Sequence, residues 1–109
     1  MKSAQIKTSV IIPAYKEEEG LPIVLEKVFK FIDDSYEVIV VDDGSPDKTS
    51  EKASYFPCKL VRHERNQGKG EAMKTGAREA QGENIIFIDA DDTYPVETIP
   101  DIAKDLESF

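Results

Sequence analysis

Ile85-Ile86-Phe87-Ile88-Asp89-Ala90-Asp91-Asp92 runs four apolar residues directly into three carboxylates. The apolar half predicts a strand buried on both faces, as in a parallel sheet. The acidic half falls where that strand must stop. Ligands of open parallel sheets bind outside the carboxyl ends of the strands, so these acids stand where a ligand would. One small residue separates Asp89 from Asp91, and in extended geometry both carboxylates project to the same side. Like charges so placed repel unless a cation stands between them, and all-oxygen ligation suits Mg²⁺ or Mn²⁺.

Working outward, two further apolar runs have the same character. Val10-Ile11-Ile12, stopped by Pro13, predicts a first buried strand with Pro13-Ala14-Tyr15 as its carboxyl-end loop. Glu37-Val38-Ile39-Val40-Val41 predicts a second, ending in Asp42-Asp43-Gly44. Between them Leu21, Val24, Leu25, Val28, Phe29 and Ile32 recur at spacings of three and four, an amphipathic helix with Pro22 in its first turn and Glu17-Glu18-Glu19 at its positive end. Ser45-Pro46 reads as a helix start, with the helix running to about Tyr55 and closed by Pro57. Lys59-Leu60-Val61-Arg62 is a weaker strand. The polar loop His63–Gly70 then opens a helix to about Ala80 whose inner face is small: Ala72, Met73, Gly76, Ala77 and Ala80. Ile99, Ile102, Ala103 and Leu106 mark a last helix. Strands and helices alternate without linker or repeat, which implies a single α/β domain over residues 1–109, with a parallel sheet and right-handed crossovers.

Composition bounds the function. The 109 residues carry a net charge of −8 with 39% hydrophobic residues, enough for one small core and contrary to a general binder of nucleic acid or membrane surfaces. Residues 59–78 reverse the sign: six cations face two carboxylates, a balance of +4, so this segment either serves an anionic ligand or forms a solvated helix face of mixed charge. Cys58, the single cysteine, excludes an intramolecular disulfide and reads as a small buried side chain. No signal-peptide pattern and no run of about 18 apolar residues occur, so a cytoplasmic product without a membrane segment is expected.

Three strand ends thus converge on one rim: Pro13-Ala14-Tyr15, Asp42-Asp43-Gly44 and Asp89-Ala90-Asp91. Each alone is an ordinary turn composition; together they point to a ligand. A nucleoside diphosphate would fit them. Pro13 and Tyr15 would line the base or ribose, Asp43 would accept from a base N–H, and Glu17 or Asp89 from a ribose hydroxyl. Diphosphate beside Asp91 needs a cation, because unit charges about 4 Å apart repel by roughly 1–4 kcal/mol, and a divalent ion also stabilises a departing diphosphate. Gly68-Lys69-Gly70 at a helix start offers N–H groups and one ammonium to phosphate, or is a plain loop-to-helix entry; its spacing excludes a P-loop. His63, without a partner signature, is expected in a loop or at the surface.

Those residues carry a resemblance. Val10–Glu17, Val40–Asp47, Asn66-Gln67-Gly68-Lys69-Gly70 and Asp89-Ala90-Asp91, in this order and spacing, resemble the amino-terminal half of a family 2 glycosyltransferase of the GT-A fold. The similarity is to the branch holding dolichyl-phosphate and polyprenyl-phosphate mannose and glucose synthases. It implies a Rossmann-like open sheet of order 3-2-1-4 with helices on both faces, and hexose transfer with inversion from a UDP- or GDP-sugar to a polyprenyl phosphate or other acceptor. Pro13, Ala14, Tyr15, Glu17, Val41, Asp43, Lys69, Asp89, Ala90 and Asp91 would hold the nucleotide sugar, and Asp89 and Asp91 the metal. Where the mannose synthases carry a metal-binding Gln two residues past the last Asp, this chain has Thr93. The resemblance places the acceptor half, with the acceptor-activating residues, beyond residue 109; this stretch would then bind nucleotide weakly without transferring sugar. The same strand order leaves Ile85–Ile88 at an apolar edge, from which a dimer or higher oligomer is expected. Two rivals fit less well. A sugar-phosphate nucleotidyltransferase would show a Gly-rich, Arg-containing loop after the first strand. A phospho-acceptor signalling domain would use Asp42, Asp43 and Asp89, but with its acid pair on the first strand and a Lys after a fifth.

Overall fold

The computed structural model describes residues 5–108. In chain order the elements are β1 (Thr8–Ala14), α1 (Gly20–Phe31), β2 (Tyr36–Asp42), α2 (Thr49–Ala53), β3 (Lys59–Arg62), α3 (Lys69–Glu79), β4 (Asn84–Phe87) and α4 (Ile99–Glu107). A single 3-10 turn over Val96–Thr98 leads into α4. The four strands form one parallel sheet in the order β3-β2-β1-β4, as expected.

Alternation along the strands sorts the core into two layers. Val10, Ile12 and Ala14 of β1 and Val38 and Val40 of β2 point to one face, where Leu21, Val24, Leu25 and Val28 of α1, Ala53 of α2 and Ile99 and Ala103 of α4 cover them. Ile11, Ile39 and Val41 point to the other, covered by α3 through Ala72. Ile11, Ile12, Ile39, Val40 and Val41 are fully buried, and burial of each such side chain contributes about 1.5–3 kcal/mol. The small inner face of α3 acts as the sequence suggests. A Cβ added to Gly76 would lie 2.4 Å from Cγ2 of Ile11, so only glycine lets the helix lie this close to β1.

Three local expectations need correction. Pro13 does not stop β1, which continues through Ala14. Ile11 accepts from the Ile88 N–H at 3.0 Å and so faces β4; Pro13, two residues on, faces the same way. The β1–β4 pairing ends at Ile11–Phe87, so the N–H that proline lacks would have met no partner strand. The second helix begins at Thr49, not after Ser45, because the Asp47 carboxylate accepts from both the N–H (3.0 Å) and the hydroxyl (2.5 Å) of Thr49. Ser45 instead serves the neighbouring loop: its hydroxyl accepts from the Lys16 N–H at 2.9 Å.

The opening strand is the third. Its apolar run alone predicts burial on both faces, but β4 lies at the sheet edge, as the strand order 3-2-1-4 implies, and its residues alternate. Ile86 and Ile88 are buried beside Val10 and Ile12, whereas Ile85 and Phe87, on the opposite face of the sheet, are 37% and 39% exposed. A four-residue apolar run cannot by itself distinguish an edge from a centre.

Candidate functional site

The sheet order fixes where a site can form. From β1 the chain crosses by α1 to β2 on one side, while β4 joins β1 from the other side after α3 has crossed the opposite face. The loops leaving β1 and β4 therefore diverge and open a crevice between the two strand ends, the position at which such sheets bind ligands. A cavity of about 370 Å³ lies there, within the range of small-molecule sites. Pro13, Ala14, Tyr15 and Glu17 line it from β1, Asp43 and Asn66 from the β2 and β3 ends, Lys69 and Ala72 from α3, and Asp89, Ala90 and Asp91 from β4.

Nine of the ten residues expected to hold a nucleotide sugar therefore meet in one cavity. Val41 is the exception: it is fully buried under α3, with Ile11, Ile39 and Ala72. Asn66 and Ala72 line the cavity and were not singled out as site residues. Asn66 lay within a recognisable motif, but its spacing from Asp43 gave no sign that the two would meet.

The β1–α1 loop presents Tyr15 and Glu17 on a tight turn. Lys16 at its centre has φ +55°, a left-handed conformation uncommon outside glycine. Side chains across the rim hold it: Ser45 accepts from the Lys16 N–H, and the Thr49 hydroxyl accepts from the Glu17 N–H at 3.0 Å. Tyr15 is 40% exposed, its ring at the cavity wall and the Lys16 ammonium 5.3 Å from its centroid. Where α1 begins, a Cβ on Gly20 would come within 2.9 Å of the Ala90 carbonyl, so the acidic turn rests against the start of α1.

Asp42 and Asp43, adjacent in sequence, do different work. Asp42 is fully buried on the α2 side, where it accepts from the Ser45 N–H (2.9 Å), the Ser50 hydroxyl and Arg62 (2.8 Å). It does not line the cavity, which removes it from any acidic phospho-acceptor pocket. Asp43 is 2% exposed. One oxygen accepts from His63 Nδ1 (2.7 Å) and the Gln67 N–H (2.9 Å), the other from the Asn66 amide (3.0 Å) and the Gly68 N–H (2.8 Å). Four donors match the about four lone-pair sites of a carboxylate. Burial opposes ionisation of Asp43, but the His63, Gln67 and Gly68 hydrogen bonds outweigh it and hold the pKa below 3.8.

His63 is thus not the surface histidine expected from sequence. It is buried between Asp43 and Thr75, with Nε2 2.8 Å from the Thr75 hydroxyl. An ionised carboxylate only accepts, so Nδ1 carries the proton and, in the neutral ring, Nε2 accepts from Thr75. The histidine fastens the strand end to α3. The basic segment is likewise spent largely on structure. Lys59 pairs with Glu79 (2.6 Å), Arg62 with Asp42 and Lys74 with Glu71 (3.4 Å); among its described cations only Lys69 lines the cavity.

The acidic turn is held by few bonds. Asp91 accepts from the Thr93 hydroxyl (2.6 Å) and N–H (3.2 Å). The hydroxyl bond is the main reason its pKa is lowered. Thr93 therefore orients Asp91. Asp92 has φ +62° and binds the Lys27 ammonium at 2.9 Å. Asp89 meets Lys69 Nζ at 2.5 Å. Glu17 nearby has a raised pKa, first from burial and then from the charges of Asp91, Asp47 and Asp89. The carboxylates that oppose ionisation of Glu17 make a field that favours a cation. Their hard oxygens suit Mg²⁺ or Mn²⁺. No group of three or more acidic, His or Cys side chains among the described residues is arranged to hold a metal unaided. One or two carboxylates completed by phosphate oxygens and water is the usual arrangement for such ions.

Comparison with known proteins agrees with this fold. The signature described as "Glycosyl transferase family 2" matches residues 9–108. The dolichol-phosphate mannosyltransferase of Pyrococcus furiosus is 39% identical over 112 residues, covering 94% of this chain and 31% of that protein. Among solved structures, S. aureus TarS 1–349 in complex with UDP superposes with a TM-score of 0.80 at 30% identity, covering 94% of this chain and 32% of the other. The mannosyltransferase PcManGT of Pyrobaculum calidifontis, in complex with GDP-Man and Mn²⁺, superposes with a TM-score of 0.80 at 26% identity, covering 95% and 32%. The chain spans about a third of the length of these relatives.

Proposed function

The chain belongs to glycosyl transferase family 2, and on that premise we propose that it is the nucleotide-sugar-binding part of an inverting, metal-dependent glycosyltransferase. The donor is a UDP- or GDP-hexose and the acceptor a polyprenyl phosphate. The observation that carries this reading is the meeting of Pro13–Glu17, Asp43, Lys69 and Asp89–Asp91 in one cavity at the β1–β4 crevice.

Each group has work to do there. Pro13 and Tyr15 give the base a flat apolar wall. Glu17 and Asp89 accept from ribose hydroxyls. Asp43 reaches a base N–H only by giving up one of its four present donors; the Asn66 amide is the one side-chain donor among these on an exposed residue. Asp89 and Asp91 would hold Mg²⁺ or Mn²⁺, whose chemistry there is to neutralise the diphosphate and favour its departure. Thr93, whose hydroxyl is bonded to Asp91, would steady that carboxylate for the task. Two relatives are named for phosphate-linked lipid or nucleotide-sugar substrates of this kind: the dolichol-phosphate mannosyltransferase and the GDP-Man complex with Mn²⁺.

No described helix is long and apolar enough to cross a membrane. The reading puts the donor site in the cytoplasm beside a membrane that carries the acceptor. Self-association through the apolar edge of β4, whose Ile85 and Phe87 are exposed, is a separate part of the proposal; light scattering that shows only monomer at high concentration refutes it.

The test is a thermal-shift panel of UDP, GDP and their sugar conjugates, with and without Mn²⁺. A metal-dependent rise with one nucleotide series, abolished in Asp91→Asn, is the expected result. No shift with any nucleotide overturns the reading.

A further inference from the structure

Lys69 and the proposed divalent cation claim the same carboxylate. Lys69 Nζ lies 2.5 Å from Oδ1 of Asp89, and an ammonium and a divalent ion at one carboxylate repel each other, so each weakens the other's hold. We infer that Lys69 is an exchangeable counter-ion: it neutralises Asp89 until a divalent ion takes that oxygen, then turns to the diphosphate that arrives with the ion. This rests on the nucleotide-sugar reading above and assigns Lys69 a dynamic role within it.

Three observations carry the inference. First, the pair is loose. The side chains are 64% and 48% exposed, and exposed pairs contribute little and give way readily. The contrast is Arg62–Asp42, whose carboxylate is fully buried and held by two further donors. Second, the backbone beneath Lys69 is fixed. It is the first residue of α3, and the preceding Gly68, at φ +105°, has its N–H tied to Asp43. The four-carbon stem can move while its root cannot. Third, there is room. A Cβ placed on Gly68 or Gly70 would meet nothing within 4 Å, so the residues on either side of Lys69 border open space, and Lys69 itself lines the cavity.

Exchange gives Lys69→Met effects of opposite sign in two assays. Without nucleotide, removal of the competing ammonium tightens Mn²⁺ binding, measured by electron paramagnetic resonance titration, by about two- to fivefold. With Mn²⁺ saturating, removal of the same ammonium weakens UDP or GDP binding, measured by calorimetry, by roughly tenfold. Lys69→Arg keeps both affinities within about twofold of the native chain. Unchanged Mn²⁺ affinity in Lys69→Met overturns the exchange, as does tighter Mn²⁺ binding without loss of nucleotide affinity. A native chain that binds neither Mn²⁺ nor nucleotide overturns the functional reading itself, a failure visible before any variant is made.

Discussion

Replacing Asp43 by Asn tests whether this residue is first a keystone of the rim. The native carboxylate accepts four hydrogen bonds, two on each oxygen, from His63, Gln67, Asn66 and Gly68. An asparagine keeps one oxygen and offers an amide where two N–H groups already point. At least two donors lose their acceptor, and a buried donor left unpaired costs about 1–3 kcal/mol. Allowing for relaxation of the exposed Asn66 side chain, the loss is about 2–4 kcal/mol, or roughly 8–20 °C in Tm for a domain of this size. Urea unfolding at pH 7 measures it directly. The acid limb adds a signature. The folded pKa of Asp43 is depressed below 3.8, so its contribution is complete above the unfolded value near 3.8 and is lost as pH falls through the folded value. Stability of Asp43→Asn should therefore fall less steeply than that of the native chain below pH 4. A loss under about 1 kcal/mol, or an unchanged acid slope, would refute the keystone reading.

Two further substitutions probe other parts of the argument. Gly76→Ala forces a methyl to within 2.4 Å of Ile11 Cγ2; overpacking of about 1–3 kcal/mol, less about 1 kcal/mol of gained helix propensity, should lower the urea midpoint at unchanged m-value, and a neutral or stabilising effect would show that α3 can move away from β1. Glu17 has a pKa raised by burial and by Asp91, Asp47 and Asp89, so its ionisation opposes folding at neutral pH. Glu17→Gln should raise Tm at pH 7 and leave it unchanged at pH 3.5, where the native side chain is protonated, while weakening nucleotide binding; a fall in Tm at pH 7 contradicts the repulsive field.

What was legible in the sequence was local. Val10-Ile11-Ile12 and Val38–Val41 announce strands by composition, and Asp89 and Asp91 announce a shared face by their spacing. Partnerships across the sheet were not legible. His63 looked idle because its partners, Asp43 and Thr75, are 20 and 12 residues away, and no periodicity links a loop histidine to a strand end. The division of labour between Asp42 and Asp43 could have been foreseen. Alternation puts Asp42 on the Val38–Val40 face, toward α2, and the following residue on the Val41 face, toward α3. Val41 itself came into the site set by likeness alone, and its parity already turned it toward the core under α3. The edge position of β4 followed from topology, never from the apolar run, which reads the same at an edge and at a centre.

The rim is unevenly built, and that predicts where the site adjusts to its ligand. The β1–α1, β2–α2 and β3–α3 loops are bound to one another: the Lys16 N–H to Ser45, the Glu17 N–H to Thr49, Asp42 to Ser45, Ser50 and Arg62, and Asp43 to residues 63–68. Most of these bonds are buried or partly buried. Among the described residues, the side chains of the loop after β4 are tied only by exposed bonds: Lys69 to Asp89, Thr93 to Asp91 and Lys27 to Asp92. Ala90 packs into the core, but its neighbours hold on by exposed hydrogen bonds, which mark segments that open at low free energy. Residues 89–93, which carry the proposed metal ligands, are therefore the part of the site that a nucleotide and a divalent ion order most. Hydrogen exchange should show it: amides of residues 89–93 slowed about tenfold or more by UDP or GDP with Mn²⁺, and those of residues 43–50 slowed less. Equal slowing across both loops would mean that the rim closes as one unit, and the distinction between a fixed base-binding wall and an adjustable phosphate-binding turn would fall.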